Sequence, residues 1–294
     1  MPRNVPKKNI AQKRKPKPKA EQAGNDTLLK VLKFSVYLFM VSCIIAATYN
    51  YRHGILYYLG FKTDKRVENL TRKERKIADL RIYEIVERYK DKVFGIDVSH
   101  YQGSINWDTI AQNKNTFPIH FIFIRATAGK DGRDTKYNRN WSGASKSGMI
   151  RGAYHYYRPD ENSIKQADNF IKTVTLAKGD LPPVLDIERI PNTQSLDSLK
   201  AGLKRWLNRV EGHYGVKPII YSGESFYTDF LKEEFKGYKL WIANYSFLED
   251  KIRDEWHFWQ FTDKAAINGI DGNVDVNIYN GTMEGLKEYL ITRL

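Results

Sequence analysis

The chain has 294 residues, of which 41% are hydrophobic and 13% aromatic, which is enough apolar material for one large domain or two small ones. Its formal net charge of +14 would suit nucleic-acid binding, but residues 1–33 hold ten basic and two acidic side chains and thus +8 of that charge. Cys43 is the single cysteine, which excludes an internal disulfide and a thiolate metal cluster. The composition predicts a globular domain with a basic tail and no nucleic-acid partner.

The basic tail, residues 1–33, is rich in Lys, Pro, Gln and Asn and poor in bulky apolar side chains. Such a segment buries too little surface to offset its ordering entropy, so we predict that it is disordered. Attraction to anionic lipid at the cytoplasmic membrane surface would account for its charge.

An uncharged apolar segment follows, from Phe34 to Tyr49, and with its flanking residues it reaches the ~20 residues that a bilayer requires. It shows no polar face at helical spacing, which disfavours a buried helix of a soluble protein. The alternatives are a signal peptide cleaved near Ala46 and a lipoprotein modified at Cys43. We predict a transmembrane signal-anchor helix over residues 34–51, with a cytoplasmic N-terminus and the remaining chain outside the cytoplasmic membrane.

Residues 52–92 mix charges of both signs, and their apolar residues recur at partly helical spacing between Val67 and Val86. This pattern predicts a charged helical stalk or linker between the membrane and the next domain.

From residue 93 onward, short β-branched and aromatic runs alternate with stretches of helical character, which is typical of an α/β domain. Helices are predicted between the early strands, whereas the last three strands follow one another too closely for full helices. Eight strands with this spacing predict a TIM-like barrel with irregular closure over residues 93–294. The predicted strands are Val93–Ser99, Phe121–Ala126, Gly152–Tyr156, Pro183–Glu188, Pro218–Ser222, Leu240–Tyr245, His257–Phe261 and Val274–Ile278, and the predicted helices are Tyr137–Ser147, Ser163–Ala177 and Ser195–Tyr214.

Four acidic residues lie at ends of these predicted strands: Asp97, Asp186, Glu188 and Asp275. In a barrel such positions converge on one mouth. Asp186 and Glu188 share a strand face, and two like charges so close disfavour joint ionisation, so one of them is expected to hold a proton. A carboxylate pair of this kind is the minimal equipment of a glycosidase. Any single acid could be a solvated strand end or a helix cap, but four together favour a site.

The sequence lacks the motifs of metal-dependent and serine hydrolases. The chain has six histidines without H-E-x-x-H or EF-hand spacing, so we predict no metal and no cofactor. It has no G-x-S-x-G elbow, which disfavours a serine hydrolase.

The acids lie among the ordered blocks GIDVSHYQGSINW, FIFIRATAGKDGRDTKYNRN, GMIRGAYHYYRP, LPPVLDIE, PIIYSGESFYTDFL, LWIANY and FWQFTDKAAINGIDGNVDVNIYNG. These blocks resemble the family 25 glycoside hydrolases, which are lysozymes, over roughly residues 93–282. Asn106 stands where that family commonly has Asp, and Ala128 replaces its usual acid or amide, which removes one polar group near the expected groove.

The resemblance implies an irregular barrel of the (β/α)5(β)3 type and hydrolysis of the β-1,4 bond between N-acetylmuramic acid and N-acetylglucosamine in peptidoglycan. It implies that Glu188 is the general acid and that Asp186 stabilises positive charge or positions the substrate's acetamido group, flanked by Asp97 and Asp275. Direct inversion and substrate-assisted retention are both compatible with these roles. Six further residues in matching blocks are expected to bind substrate or support the acids, with core packing as the alternative: Arg125, Tyr154, His155, Tyr221, Trp241 and Gln260.

Two other functions fit parts of the sequence. A catalytically inactive, membrane-anchored tether would bind peptidoglycan without cutting it, but retention of all four acids disfavours it. A chitinase-like barrel also uses a D-x-E strand, but the extra acidic positions of its longer motif are occupied by apolar residues here. The sequence predicts no particular protein partner.

Overall fold

The computed structural model describes residues 19–50, 71–112, 118–246 and 251–293. The chain divides into two compact units, with the boundary between Ile55 and Leu56. The first unit contains one described helix, and the second contains the other described helices and all described strands.

Helix α1 of the first unit spans Lys19–Asn50. Its Leu29–Ala46 segment is long and apolar enough to be a candidate membrane span, since 18 residues extend about 27 Å at a rise of ~1.5 Å per residue. None of this segment is buried within the structure. A buried core helix, the soluble alternative for this segment, is therefore not what the structure contains.

The helix begins earlier than the sequence predicted. We expected a disordered tail over residues 1–33, but residues 19–33 are helical, while residues 1–18 lie outside the described residues. Two physical reasons account for the difference. Residues 19–33 contain several good helix formers, and extending an existing helix avoids the cost of nucleation.

Helix α2 (Arg72–Arg88) opens the described part of the second unit. Thr71 caps it, because its hydroxyl accepts from the Glu74 N–H at 3.3 Å while the Glu74 carboxylate accepts from the Thr71 N–H at 2.9 Å. Ile85 is buried, and neighbouring apolar residues on the same face pack on the barrel core. The stalk expected over residues 52–92 is therefore helical in its described part but packed against the barrel, and residues 51–70 lie outside the described residues.

The eight predicted strands are all present, and one two-residue strand is added. Around the barrel these eight strands follow one another in the order in which they occur along the chain. The observed strands are β1 (Val93–Val98), β2 (Phe121–Ala128), β3 (Gly132–Arg133), β4 (Ile150–Tyr156), β5 (Val184–Asp186), β6 (Ile219–Gly223), β7 (Lys239–Ala243), β8 (Phe258–Ala265) and β9 (Val274–Tyr279).

The sheet closes into a barrel because β1 pairs with both β2 and β9. Pairing is parallel from β1 through β2, β4, β5, β6 and β7 to β8, whereas β9 is antiparallel to β8 and β1. The short β3 pairs with the end of β2 outside this closed ring. The mixed α/β barrel with eight strands confirms the predicted fold class.

Helical segments lie in each of the five connections from β1 to β7, and no helix lies in the described residues between β7 and β9. This arrangement matches the (β/α)5(β)3 expectation and explains the irregular closure. The segments are α3 (Trp107–Gln112), α4 (Tyr137–Lys146), α5 (Ser163–Thr173), α6 (Leu196–Tyr214), α7 (Glu224–Phe226) with a π-helical turn at Tyr227–Leu231, and α8 (Lys232–Phe235), and α9 (Met283–Glu288) follows β9.

Strand side chains alternate between the barrel interior and the outer face that the helices cover. The Phe123 ring stacks on Trp241 inside the barrel, with ring centroids 4.3 Å apart. Two glycines make room for such rings. A Cβ added at Gly95 would lie 2.5 Å from the Phe121 ring, and one at Gly152 would lie 2.7 Å from the Phe123 ring.

Candidate active site

A cleft lies at the mouth of the barrel and contains all four strand-end acids. Asp97 lies near the end of β1, Asp186 ends β5, and Glu188 follows two residues later. Because β9 is antiparallel to β1, its first residues lie at this same mouth, and Asp275 is paired in register with Asp97. The cleft is also lined by Val98, Ser99, Gln102, Tyr154, Tyr221 and Trp241.

The four carboxylates differ in their exposure. Asp97, Asp186 and Asp275 expose only 6%, 4% and 7% of their surface, whereas Glu188 is partly exposed. Buried carboxylates must be hydrogen-bonded or protonated, because an unpaired charge is costly to desolvate. Glu188 is therefore the acid of the four that solvent, and a polymer entering from solvent, reaches most readily.

A buried amide network holds Asp97. Its Oδ2 accepts hydrogen bonds from Gln260 Nε2 at 2.6 Å and from Asn277 Nδ2 at 2.9 Å. The Gln260 Oε1 in turn accepts from the Tyr221 hydroxyl at 2.8 Å and from the Tyr245 hydroxyl. Both donors to Asp97 are themselves held by hydrogen bonds to other residues, so they keep its carboxylate in one orientation.

Asn277 is fixed in the same way, since its Oδ1 accepts a hydrogen bond from Trp241 Nε1 at 2.7 Å. Asn277 is fully buried, and Trp241 is 1% exposed. Each polar atom of the Asn277 amide group therefore has a partner that orients it, and a turn of the amide would break both bonds.

A second charged group lies beside the cleft, around Arg125. Its Nε donates to Asp134 Oδ2 at 3.0 Å, and the Asp134 carboxylate also accepts from the backbone N–H groups of His100 and Lys136, each at 2.9 Å. Burial opposes ionisation of Asp134, but these hydrogen bonds hold its pKa below the ordinary value. The Arg125 guanidinium contacts His100 and lies 5.0 Å from the centre of the Tyr101 ring, which is 62% exposed.

Three of the aromatic residues singled out in the sequence, Tyr154, Tyr221 and Trp241, line the cleft. Burial raises the pKa of both tyrosines well above its ordinary value, and nearby carboxylates raise it further. Both phenols are therefore neutral hydrogen-bonding groups near neutral pH.

The structure corrects the expectation for His155, which does not lie in the cleft. It is fully buried on the outer face of β4, where its ring stacks on Trp206 of α6 with centroids 5.4 Å apart. Its Nδ1 is 2.7 Å from the Thr127 hydroxyl and its Nε2 is 3.1 Å from Gln166 Oε1. Adjacent strand residues face opposite sides, so Tyr154 and His155 cannot both reach the mouth.

We expect His155 to make the protein sensitive to acid. Burial lowers its pKa from 6.5 to about 3, so the folded state keeps it neutral while the unfolded chain protonates it below about pH 6.5. Its contribution to stability is thus present above pH 6.5 and is lost as the pH falls toward 3. From pH 7 to pH 5 the loss is about 2 kcal/mol in the free energy of unfolding.

Urea unfolding of wild type, His155→Gln and the exposed control His213→Gln at both pH values measures this loss. His155→Gln should lose less stability between pH 7 and pH 5 than the other two proteins. An equal loss in all three would show that His155 does not carry the effect.

Asn277 and Asp134 are among the residues of the site that the sequence analysis missed. Asn277 lies two positions after Asp275 on the same strand, so period-two alternation was a usable signal for it. Asp134 lies in a matching block but was given no role, and its contacts with Arg125 come from a turn that the sequence does not define.

Comparisons with known proteins agree with this geometry. The family model for "Glycosyl hydrolases family 25" matches residues 96–270, which include three of the four acids, while Asp275 lies five residues beyond the match. The uncharacterized protein YegX of Escherichia coli K12 is 40% identical over 200 residues, covering 67% of this chain and 73% of YegX. Lysozyme M1 of Streptomyces globisporus is 32% identical over 206 residues, covering 65% of this chain and 68% of the lysozyme.

Among solved structures, a family 25 glycosyl hydrolase from Bacillus anthracis superposes with a TM-score of 0.61 at 30% identity. The superposition covers 69% of this chain and 95% of that structure. Sequence and structure thus match the same family over the barrel, and the expectation from the sequence blocks is confirmed. The chain belongs to the family 25 glycosyl hydrolases and is a glycoside hydrolase.

Proposed function

We propose that this glycoside hydrolase is a peptidoglycan muramidase that cleaves the β-1,4 bond between N-acetylmuramic acid and N-acetylglucosamine, with Glu188 as its general acid. The observation that carries the proposal is one cleft with four carboxylates, of which Glu188 alone is more than slightly exposed. Lysozyme M1, a relative over two thirds of its own length, supports the substrate class.

Glu188 protonates the glycosidic oxygen as the bond to the leaving sugar breaks, which is the step that a general acid accelerates. Asp186 lies two residues earlier, at the end of β5 and deeper in the cleft. It stabilises the positive charge that develops at the anomeric carbon or orients the substrate's acetamido oxygen for attack there. Asp97 and Asp275 flank the pair and add negative charge where the transition state is cationic.

Substrate contacts come from the aromatic residues of the cleft and its rim. Tyr154, Tyr221 and Trp241 line the floor of the cleft, where little of each ring is exposed, and the exposed Tyr101 ring offers an apolar face to the sugars at the rim. Arg125 joins the turn after β3, which carries Asp134, to the segment after β1, which carries His100, and so shapes the same rim. Gln260 acts through Asp97, whose carboxylate it orients.

We further propose that residues 34–51 anchor the enzyme in the cytoplasmic membrane, with the basic N-terminus in the cytoplasm and the barrel on the side where peptidoglycan lies. The candidate span Leu29–Ala46 and the basic residues before it support this orientation. In this organisation residues 1–33 form the cytoplasmic tail, residues 52–92 connect the anchor, and residues 93–294 form the catalytic domain.

Digestion of purified peptidoglycan by the full chain in detergent micelles tests the activity. Mass spectrometry and reducing-end analysis should identify fragments that end in reducing N-acetylmuramic acid. Proton NMR of a soluble glycan substrate, recorded during cleavage, gives the first anomer released and so separates retention from inversion. Intact glycan that stays bound to the protein would replace the muramidase proposal with the peptidoglycan tether.

A further inference from the structure

Helix α2 lies before the residues that match the family, 96–270, yet it is joined to the mouth of the barrel. Its inward face carries apolar residues that pack on the outer side of the barrel, with Ile85 3% exposed. Two arginines on this face, Arg75 and Arg81, reach past the apolar contacts to residues close to the cleft.

Arg81 donates three hydrogen bonds to backbone carbonyl oxygens. Its Nη1 donates to the Phe261 oxygen at 2.8 Å and to the Tyr245 oxygen at 3.1 Å, and its Nη2 donates to the Ser246 oxygen at 2.9 Å. Phe261 lies on β8, whereas Tyr245 and Ser246 follow the end of β7. One rigid guanidinium therefore holds the two residues that follow β7 in a fixed position against β8.

Tyr245, one of these two residues, also belongs to the buried amide network. The Tyr245 hydroxyl donates to Gln260 Oε1, and Gln260 Nε2 donates to Asp97 Oδ2 at 2.6 Å. Three successive hydrogen bonds therefore lead from α2 to a carboxylate of the cleft. Arg75 supports the other side, where it donates to the Lys264 oxygen and to Asn273 Oδ1, both at 2.8 Å, two residues before Asp275.

Helix docking alone would not require this arrangement. Burial lowers the pKa of the Arg81 guanidinium, with the charge of nearby Asp263 opposing that shift, so the charge is placed there against a desolvation penalty. An apolar side chain would dock the helix without that penalty. The Arg81 guanidinium holds the backbone of Tyr245 and Ser246 in a fixed position through its hydrogen bonds, and an apolar side chain has no donors with which to do this.

We propose that Arg81 is a positioning residue that sets the orientation of Asp97 through Tyr245 and Gln260. Helix α2 thereby helps to determine the geometry of the active site. The inference rests on the proposed muramidase function for its kinetic consequence. Without Arg81, the backbone of Tyr245 shifts and its hydroxyl holds Gln260 less firmly, although the Tyr221 hydroxyl still donates to Gln260. Asp97 then samples orientations that stabilise the transition state less well.

The full chain in detergent micelles tests this with Arg81→Met, which keeps the length of the side chain but has no donor. We expect kcat on solubilised glycan to fall roughly tenfold with KM little changed, since small displacements at a distance can lower rates by up to about 100-fold. Arg81→Lys should recover part of the loss. Lys76→Met, on the exposed face of the same helix, should match the wild type.

A double-mutant cycle with Tyr245→Phe separates positioning from general damage. If Arg81 acts through Tyr245, Arg81→Met should lower kcat much less in the Tyr245→Phe background than in the wild type. Independent, multiplying effects would overturn the proposal, as would an Arg81→Met enzyme with wild-type kcat. If Arg81→Met does not fold, the same cycle is run with Arg81→Lys.

Hydrogen exchange of the peptide that contains Tyr245 and Ser246 supplies a readout that does not depend on activity. Exchange there should rise in Arg81→Met and stay unchanged in Lys76→Met. Unchanged exchange in Arg81→Met overturns the positioning role, whether or not the chain cuts peptidoglycan. An inactive wild type with raised exchange in the variant would instead contradict the muramidase proposal and leave the contact between α2 and the mouth supported.

Discussion

Replacing Glu188 with Gln is expected to lower the rate of muropeptide release by about 100- to 10,000-fold, the range that a general acid contributes. The amide has nearly the same size as the carboxylic acid and still forms hydrogen bonds, but it has no acidic proton to give to the leaving oxygen. Because Glu188 is partly exposed, the change should leave the free energy of unfolding nearly unaltered. Quantification of new reducing ends by liquid chromatography and mass spectrometry measures the rate.

The matched control is Glu284→Gln, the same replacement at an exposed position of α9, which follows the far end of β9. Its activity should equal that of the wild type. Glu188→Gln should still sediment with intact peptidoglycan, because substrate binding does not require the proton. An active Glu188→Gln enzyme would assign the acid to another carboxylate of the cleft, and Asp186→Asn would be the next variant to measure.

The barrel was predictable from sequence because its strands are short, separate apolar runs. Strands buried on both faces read as nearly continuous β-branched and aromatic segments, such as Phe121–Ala128 and Val274–Tyr279. The helices between them were equally clear, since α6 shows apolar residues at helical spacing and ends at Gly215 in a left-handed conformation. The pattern fixes the elements, and their alternation limits the topology to a few solutions.

The position of α2 was not predictable by the same means. Its sequence is mixed in charge, and the bonds of Arg75 and Arg81 reach residues more than 160 positions away in the chain. Of the five hydrogen bonds described above for these two arginines, four have backbone carbonyl oxygens as acceptors, and a backbone acceptor leaves no trace in the side-chain pattern of the sequence. A helix that docks through backbone acceptors therefore has the same sequence pattern as a charged linker.

The site was predictable where a residue type and a strand end coincided. Asp97, Asp186, Glu188 and Asp275 each combined an acidic side chain with a strand end, and the structure gathers them in one cleft. His155 was misplaced because its block was matched without applying the alternation of side chains along the strand.

Asn277→Ala is expected to reduce activity roughly 10- to 100-fold, because the loss of one donor frees the Asp97 carboxylate to turn and small misplacements of this kind are costly. The variant also leaves the buried Trp241 Nε1 without its acceptor at 2.7 Å. An unsatisfied buried polar group costs about 1–3 kcal/mol, so the free energy of unfolding should fall by that amount. Peptidoglycan digestion and urea unfolding followed by tryptophan fluorescence measure the two effects.

Asn208→Ala makes the same replacement on the exposed face of α6 and should change neither quantity appreciably. Asn277→Asp distinguishes orientation from charge, because it keeps the shape and the acceptor for Trp241 but replaces the donor to Asp97 with a second carboxylate. Repulsion between the two acids should then lower activity at least as far as Asn277→Ala does, while the bond to Trp241 is retained. Wild-type activity in both variants would show that Asp97 needs no fixed orientation. It would then also contradict the proposal that α2 influences catalysis by orienting Asp97.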